Sequence, residues 1–400
     1  MRVLLAVLVG AAIAGPTWGA CSVREETVEG VRFIVMENEV IVARVLPAMG
    51  GALSDLELKG HGPLLAPARI TREQVIAPVP VYREERNGWG LTDWFYPGGA
   101  YSMASWEASI VEDTPASCAV QVRHEMVART VRIREGSAGV EVEVTITNTG
   151  EADFGRSYWL HGMYRLGGAA ELTGGTQRLF VPIAATTERR RTLAEVSAEP
   201  LLLDDAPQER WSRFLAPAQP WMALVDRTRA LGVATVLSPA SFSDQVLAYS
   251  WAGGAGAEAA ITQEMVLESR ALAPGASTTH AWSLLPFAGL TGVDYVNAEL
   301  ALAMESPDGP QRPGPLQVSV RVVTDRPRAI ALELVLQAEA GPVRSETLEL
   351  ADVGPSSARN GVVSFGMVPP GEYTVAVSAR DGAGAVIAED ALWAQRVAVR

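Results

Sequence analysis

Lysine is almost absent from this chain. Of 33 basic residues only Lys59 is a lysine, and 46 acidic residues leave a formal charge of −13. Neutralising a phosphate backbone needs clustered cations, so nucleic acid is excluded as a partner; the one short run, Arg189-Arg190-Arg191, fits a solvated loop. A phosphate-cradling Gly-x4-Gly-Lys loop is missing, as is a Gly-x-Ser-x-Gly nucleophile turn. The four histidines are scattered without the helical-turn spacing of a zinc site, and the two cysteines, Cys21 and Cys118, make no metal site by themselves. No cofactor is expected, and of metals the pattern leaves open only an oxygen-ligated calcium. Beyond the N-terminal segment no apolar run approaches the roughly 20 residues a spanning helix needs.

Residues 1–20 have the composition of a secretory signal: Arg2, the apolar stretch Val3 to Ala14, then small residues at Gly19 and Ala20. The expected location is extracytoplasmic. Cys21 directly after Gly19-Ala20 admits a lipid-bearing N-terminal cysteine, the one route to a membrane, although Trp18 stands where such signals usually carry an aliphatic residue. The rival reading is a Cys21–Cys118 disulfide, which would close a loop of about 100 residues and add several kcal/mol in the chain-entropy model.

What the sequence does contain is alternation. Val140 to Thr147 places Val140, Val142, Val144 and Ile146 on one face of a strand and polar residues on the other. Similar stretches occur at Val31–Val35, Val40–Leu46, Val127–Ile133, Met222–Val225, Gly232–Leu237, Glu264–Glu268 and Thr279–Leu284, punctuated by Gly, Pro and Asn. Helical periodicity is sparse, and Val293–Met304 is the one segment that fits a short amphipathic helix. Ser306 to Pro315 holds four prolines and two glycines in ten residues and reads as a linker. Beyond it, six or seven short strands in about 85 residues have the spacing of a small immunoglobulin-like sandwich. The expected class is all-β: a large antiparallel supersandwich over residues 25–290, a helix and linker over 291–315, and a small sandwich over 316–400.

Four segments of the larger region carry a resemblance. Val40 to Leu56 is a strand, a glycine turn at Gly50-Gly51 and a second strand; Val144 to Gly150 is a strand ending in Asn148 that leads to Tyr158-Trp159-Leu160-His161-Gly162-Met163-Tyr164. Pro220 to Asp226 with Gly232-Val233-Ala234 suggests a hairpin, and Glu268 precedes a Leu272-Ala273-Pro274-Gly275 turn. Together they resemble the galactose-mutarotase-like supersandwich of aldose epimerases and other carbohydrate-active enzymes. The resemblance implies a sheet face that holds a sugar, with a histidine acid and a carboxylate base. His161 matches the histidine, and Glu264 or Glu268 stands where the carboxylate lies. Spacing does not choose between the two glutamates. Tyr164, on the same strand as His161, joins the substrate-binding candidates. A second histidine expected of epimerases is missing, because the corresponding region reads Arg86 to Tyr96 without one.

That region points to sugar independently. Trp89, Trp94, Phe95 and Tyr96 put four aromatics into eight positions amid glycines. Flat rings pack on pyranose C–H faces, and Arg86, Asn87 and Asp93 supply hydroxyl partners. The alternative is that these rings plug the end of the sandwich. Likewise His161 is either a core imidazole satisfied by a carbonyl or an acid titrating near neutrality. Three functions remain: a sugar-directed enzyme, a carbohydrate-binding protein without turnover, and a surface scaffold whose small domain binds a partner.

Overall fold

The computed structural model describes residues 20–75, 81–87, 90–96, 99–100, 104–168, 176–184, 191–197, 210–211, 216–253, 260–305, 315–388 and 395–399. Residues 1–19, Trp89 and residues 306–314 lie outside the described residues, as do the side chains of Arg86, Asn87 and Tyr96. Among the described residues regular structure is β-strand apart from two single 3-10 turns, Leu166–Gly168 and Pro239–Ser241.

Two sheets make the larger module. One has 12 strands: a meander of Ser22–Val28, Val31–Glu37, Ile41–Leu46 and Ala52–Leu58 continues through Leu91–Tyr96, Ser157–Tyr164 and Ala260–Val266. The other has nine, with Glu107–Thr114, Ser117–His124, Val127–Arg134, Val140–Thr147, Ser277–Ala288, Leu231–Leu237 and Trp221–Asp226 as successive neighbours. Val140–Thr147 follows its alternation closely: the four aliphatics are buried and the residues between them are not. Each contributes about 1.5–3 kcal/mol on burial. They join the core between the sheets, which also takes Leu53, Phe95, Leu160 and Met265 from the 12-stranded sheet.

Asn148 explains why two of the motifs travel together. Its Nδ2 donates to the carbonyls of Ala152 (2.8 Å) and Leu272 (2.7 Å), and its Oδ1 accepts from the Gly150 N–H (2.9 Å). The Gly275 N–H in turn donates to the Asn148 carbonyl at 2.8 Å. Asn148 thus staples the strand end to the late proline-glycine turn, a structural task that buried polar groups can perform only when fully partnered.

The cysteines form a disulfide, with Cα atoms 5.9 Å apart. Its sulfur occupies the Cys21 thiol that a lipid would modify. It ties the start of the Ser22–Val28 edge strand to Ser117–His124 of the opposite sheet.

The helix expected over Val293–Met304 is instead a hairpin, Tyr295–Val296 paired with Leu300–Glu305. Asn297 decides this locally, because its Oδ1 accepts from the N–H groups of Glu299 (2.8 Å) and Leu300 (2.9 Å) and closes the turn. Leu300, Leu302 and Met304 then share one face, at period two rather than 3.6. Leu300–Glu305 also pairs with Pro315–Thr324, so residues 306–314 join two strands of one sheet rather than two modules. The smaller module packs a four-stranded sheet against a five-stranded one over its own core. A further apolar cluster, with Val236, Leu285 and Phe287 from the nine-stranded sheet and Val296, Ala301 and Val323 from the smaller module, seals the two modules together.

Candidate functional site

Three neighbouring strands of the 12-stranded sheet build the site by their phase. In Ser157–Tyr164, Tyr158, Leu160 and Tyr164 turn into the core, which leaves Trp159, His161 and Met163 on the outer face. Gly162 is needed in between: a Cβ there would lie 2.7 Å from the Tyr164 ring. The register sets His161 opposite Thr92 on one side and Glu264 on the other, and Trp159 opposite Trp94 and Val266. Cross-strand partners on one face are close enough for their side chains to meet.

They do meet. Trp94 stacks on the His161 imidazole, with centroids 4.5 Å apart and planes 11° from parallel, and its indole N–H donates to Thr92 Oγ1 at 3.1 Å. Trp159 lies 6.3 Å from Trp94, and Tyr249, from the short Leu247–Tyr249 strand, meets Trp159 edge-on at 5.9 Å. His161 Nε2 is 3.7 Å from Glu264 Oε1. That is too long for a hydrogen bond, yet a single hydroxyl oxygen can sit about 2.8 Å from both atoms. Trp94 and Trp159 are half-buried, while the His161 side chain keeps 11% of its surface exposed and Glu264 only 3%, so the indoles flank a pair that solvent barely reaches.

Burial sets the protonation of the pair. Desolvation pushes the Glu264 carboxyl up to about 7, against the opposing pull of hydrogen bonds from Thr262 and Trp159. It pushes His161 down to about 4. At neutral pH the imidazole is therefore a neutral acceptor, and the carboxyl keeps a proton at pH values where an ordinary glutamate has lost it. The resemblance implies a histidine acid and a carboxylate base; this environment favours the reverse order, a carboxyl donor facing an imidazole acceptor.

The same shifts give a stability prediction. Glu264, raised above its ordinary 4.5, keeps a proton in the folded state that the unfolded chain releases, so stability falls as pH rises from about 4.5 to 7. His161, lowered from 6.5 to about 4, acts oppositely, adding stability as pH rises from about 4 to 6.5. The two largely offset each other below pH 6.5, leaving Glu264 alone above it. Relative to wild type, Glu264→Gln should gain up to ~3 kcal/mol between pH 5 and pH 8, measured by urea denaturation at each pH. Parallel curves for the two proteins would show that the carboxyl titrates normally.

Other candidates are not brought here. Asp93 is on the Leu91–Tyr96 strand but turns inward with Leu91 and Phe95, is 1% exposed, and pairs with Arg129 across the sandwich at 2.6 Å. It is a core ion pair, not a hydroxyl partner. Tyr164 is fully buried on the core face, its hydroxyl 3.5 Å from Thr235 Oγ1, and so is not a substrate contact either. Glu268 lies beyond the end of Ala260–Val266 and pairs with Arg270 at 3.3 Å, which leaves Glu264 as the carboxylate beside His161. The backbones of Arg86 and Asn87 belong to a separate hairpin, Arg69–Val75 with Val81–Asn87. The Tyr96 backbone pairs with Ser157. Trp89 lies outside the described residues. The sequence reading missed Tyr249, whose short strand carries no clear alternation. It also missed Arg129, although a charged residue in the apolar phase of Val127, Val131 and Ile133 was a signal that it enters the core.

No protein-family model and no curated protein matches the sequence. Among solved structures the chain is similar to a TPR-domain containing protein from Parabacteroides distasonis (12% identity, TM-score 0.44, 64% of this chain and 47% of that one). The chain thus spans about half the length of that protein. It is also similar to a galactose mutarotase-like protein from Clostridium acetobutylicum (12% identity, TM-score 0.42, 68% and 99%). A third similar structure is a galactose mutarotase related enzyme from Lactobacillus acidophilus (11% identity, TM-score 0.39, 67% and 98%). The resemblance, at this low identity, is to galactose mutarotase-like structures.

Proposed function

We propose that this is an exported carbohydrate-binding protein, and that the outer face carrying Trp94, Trp159, His161 and Glu264 receives one saccharide ring. The observation that carries the proposal is the His161–Glu264 separation of 3.7 Å beside a stacked indole. An apolar ring surface accepts pyranose C–H groups, while two polar atoms at that separation hold one hydroxyl between them. The pair is also arranged to pass a proton through that hydroxyl, from carboxyl to imidazole, so the reaction class open to the site is proton transfer at a sugar oxygen. Export is supported by the buried Cys21–Cys118 disulfide, which an oxidising compartment maintains, and by the composition of residues 1–20.

A glycan array on the purified protein supplies the ligand, and calorimetry then compares variants. Trp94→Ala is expected to weaken the best-retained glycan by about tenfold or more, the equivalent of ~1.4 kcal/mol. Glu268→Ala, remote from the pair, should leave affinity within about twofold. Equal affinity of Trp94→Ala and wild type would remove the proposal, as would an array with no hits.

A further inference from the structure

The seam between the modules forms an open pocket, on the face of the nine-stranded sheet opposite the main core, with a volume of about 600 Å³. That lies within the range of small-molecule sites. Its walls come from both modules: Pro220, Val236 and Pro239 on the larger, Tyr295 on the smaller. The walls are held rather than loose. The Ala138 N–H donates to the Asp325 carbonyl (2.7 Å), Ser137 Oγ to Asp325 Oδ2 (2.9 Å) and the Ala288 N–H to the Pro355 carbonyl (2.7 Å), all across the seam. The apolar cluster containing Val236 and Val296 continues beneath.

The lining carries four charged side chains, Arg132, Glu141, Glu143 and Glu299, and all but one have a counterion. Glu141 is engaged by Arg134 at 2.6 Å, Glu299 by Arg328 at 2.7 Å, and Arg132 by Glu112 at 3.0 Å. Glu143, exposed and opposite Ala281 and Thr130 in the sheet, makes no ion pair among the described residues. An apolar chamber with an uncompensated anion at its mouth is complementary to one kind of guest.

We propose that this seam is a ligand site for a small organic cation with an apolar, ring-bearing body. The body fills the space between Val236, Pro220 and Tyr295, and the charge is met by Glu143. Because both modules supply walls, a bound guest stabilises their mutual docking. The site is distinct from the His161–Glu264 face, which belongs to the other sheet, and does not depend on the function proposed for it.

The test uses phenethylammonium, phenylacetate and benzyl alcohol as probes of equal ring size and different charge, titrated into the full chain by calorimetry. Phenethylammonium should bind at about millimolar or tighter, and about two- to fivefold better than phenylacetate at low salt, as one exposed charge at close range provides. Glu143→Gln should abolish that preference, and Ala281→Leu, which fills the chamber wall, should weaken all three probes. Melting curves on both variants establish that they are folded. Saturable binding that ignores probe charge, binding untouched by both substitutions, or no saturation by phenethylammonium would each overturn the proposal.

Discussion

Asp93→Asn is expected to cost roughly 3–5 kcal/mol of folding stability, the largest effect of any single substitution considered. The Arg129 guanidinium and the Asp93 carboxylate are both fully buried, 2.6 Å apart, in the middle of the sandwich. Arg129 also donates to the Gly51 carbonyl, and the Tyr158 hydroxyl donates to Asp93 at 2.5 Å. Burial and the neighbouring Asp93 charge both push the Tyr158 hydroxyl well above its ordinary range, so it remains a neutral donor. Neutralising Asp93 leaves Arg129 charged and without its counterion, and an uncompensated buried cation is far more costly than the pair is stabilising. The control is the double replacement Asp93→Leu with Arg129→Met, which removes both charges and should recover most of the loss. Urea denaturation decides: a single variant within about 0.5 kcal/mol of wild type would mean that the pair is solvated and the sandwich less closed than described.

Removing the disulfide has an effect of similar size. Cys21 and Cys118 are 97 positions apart, and opening a loop of that size costs roughly 4–5 kcal/mol in the chain-entropy model, with 2–5 kcal/mol commonly seen. The whole of the first meander, Ser22 to Leu58, and the strand that carries Trp94 lie inside that loop. Cys21→Ser with Cys118→Ser should therefore lower the denaturation midpoint markedly, and reduction of the native protein should reproduce the change. An unreduced intact mass two hydrogens below the sum of the residues would confirm the bond. A midpoint unmoved by reduction would show that the two cysteines are not joined.

Much of the fold was legible because antiparallel strands announce their phase. Val140–Thr147 has one face apolar and one polar, and the burial follows. Legibility failed where a polar residue occupies the inward phase, since its partner is remote in sequence. Asp93 looked like one more hydroxyl ligand in an aromatic cluster, but Leu91 and Phe95 flank it at period two and fix its direction. Its partner Arg129 lies 36 positions away, in a strand of the other sheet. Tyr164 failed in the same way, being in phase with Tyr158 and Leu160. Val293–Met304 was read as a helix because its apolar residues fit either period; the asparagine turn at Asn297, not the pattern, settles the matter.

The site was legible in part for a similar reason. His161 and Glu264 are directly opposed across one strand pair, so a correct choice of neighbouring strands brings them together. The choice of Glu264 over Glu268 needed the end of the strand at Val266, which alternation alone did not mark. What no sequence pattern conveyed is the dryness of the place, and dryness is what reverses the ordinary order of carboxyl and imidazole basicity.

The account stands most directly on where a sugar binds. Imidazole NMR resolves the four histidines, His61, His124, His161 and His280, by single replacements. On addition of the best-retained glycan, the His161 resonances should shift and saturate with the calorimetric affinity, together with the indole N–H signals of Trp94 and Trp159, while His124 and His280 on the other sheet stay in place. Saturable binding that leaves His161 unmoved would contradict it.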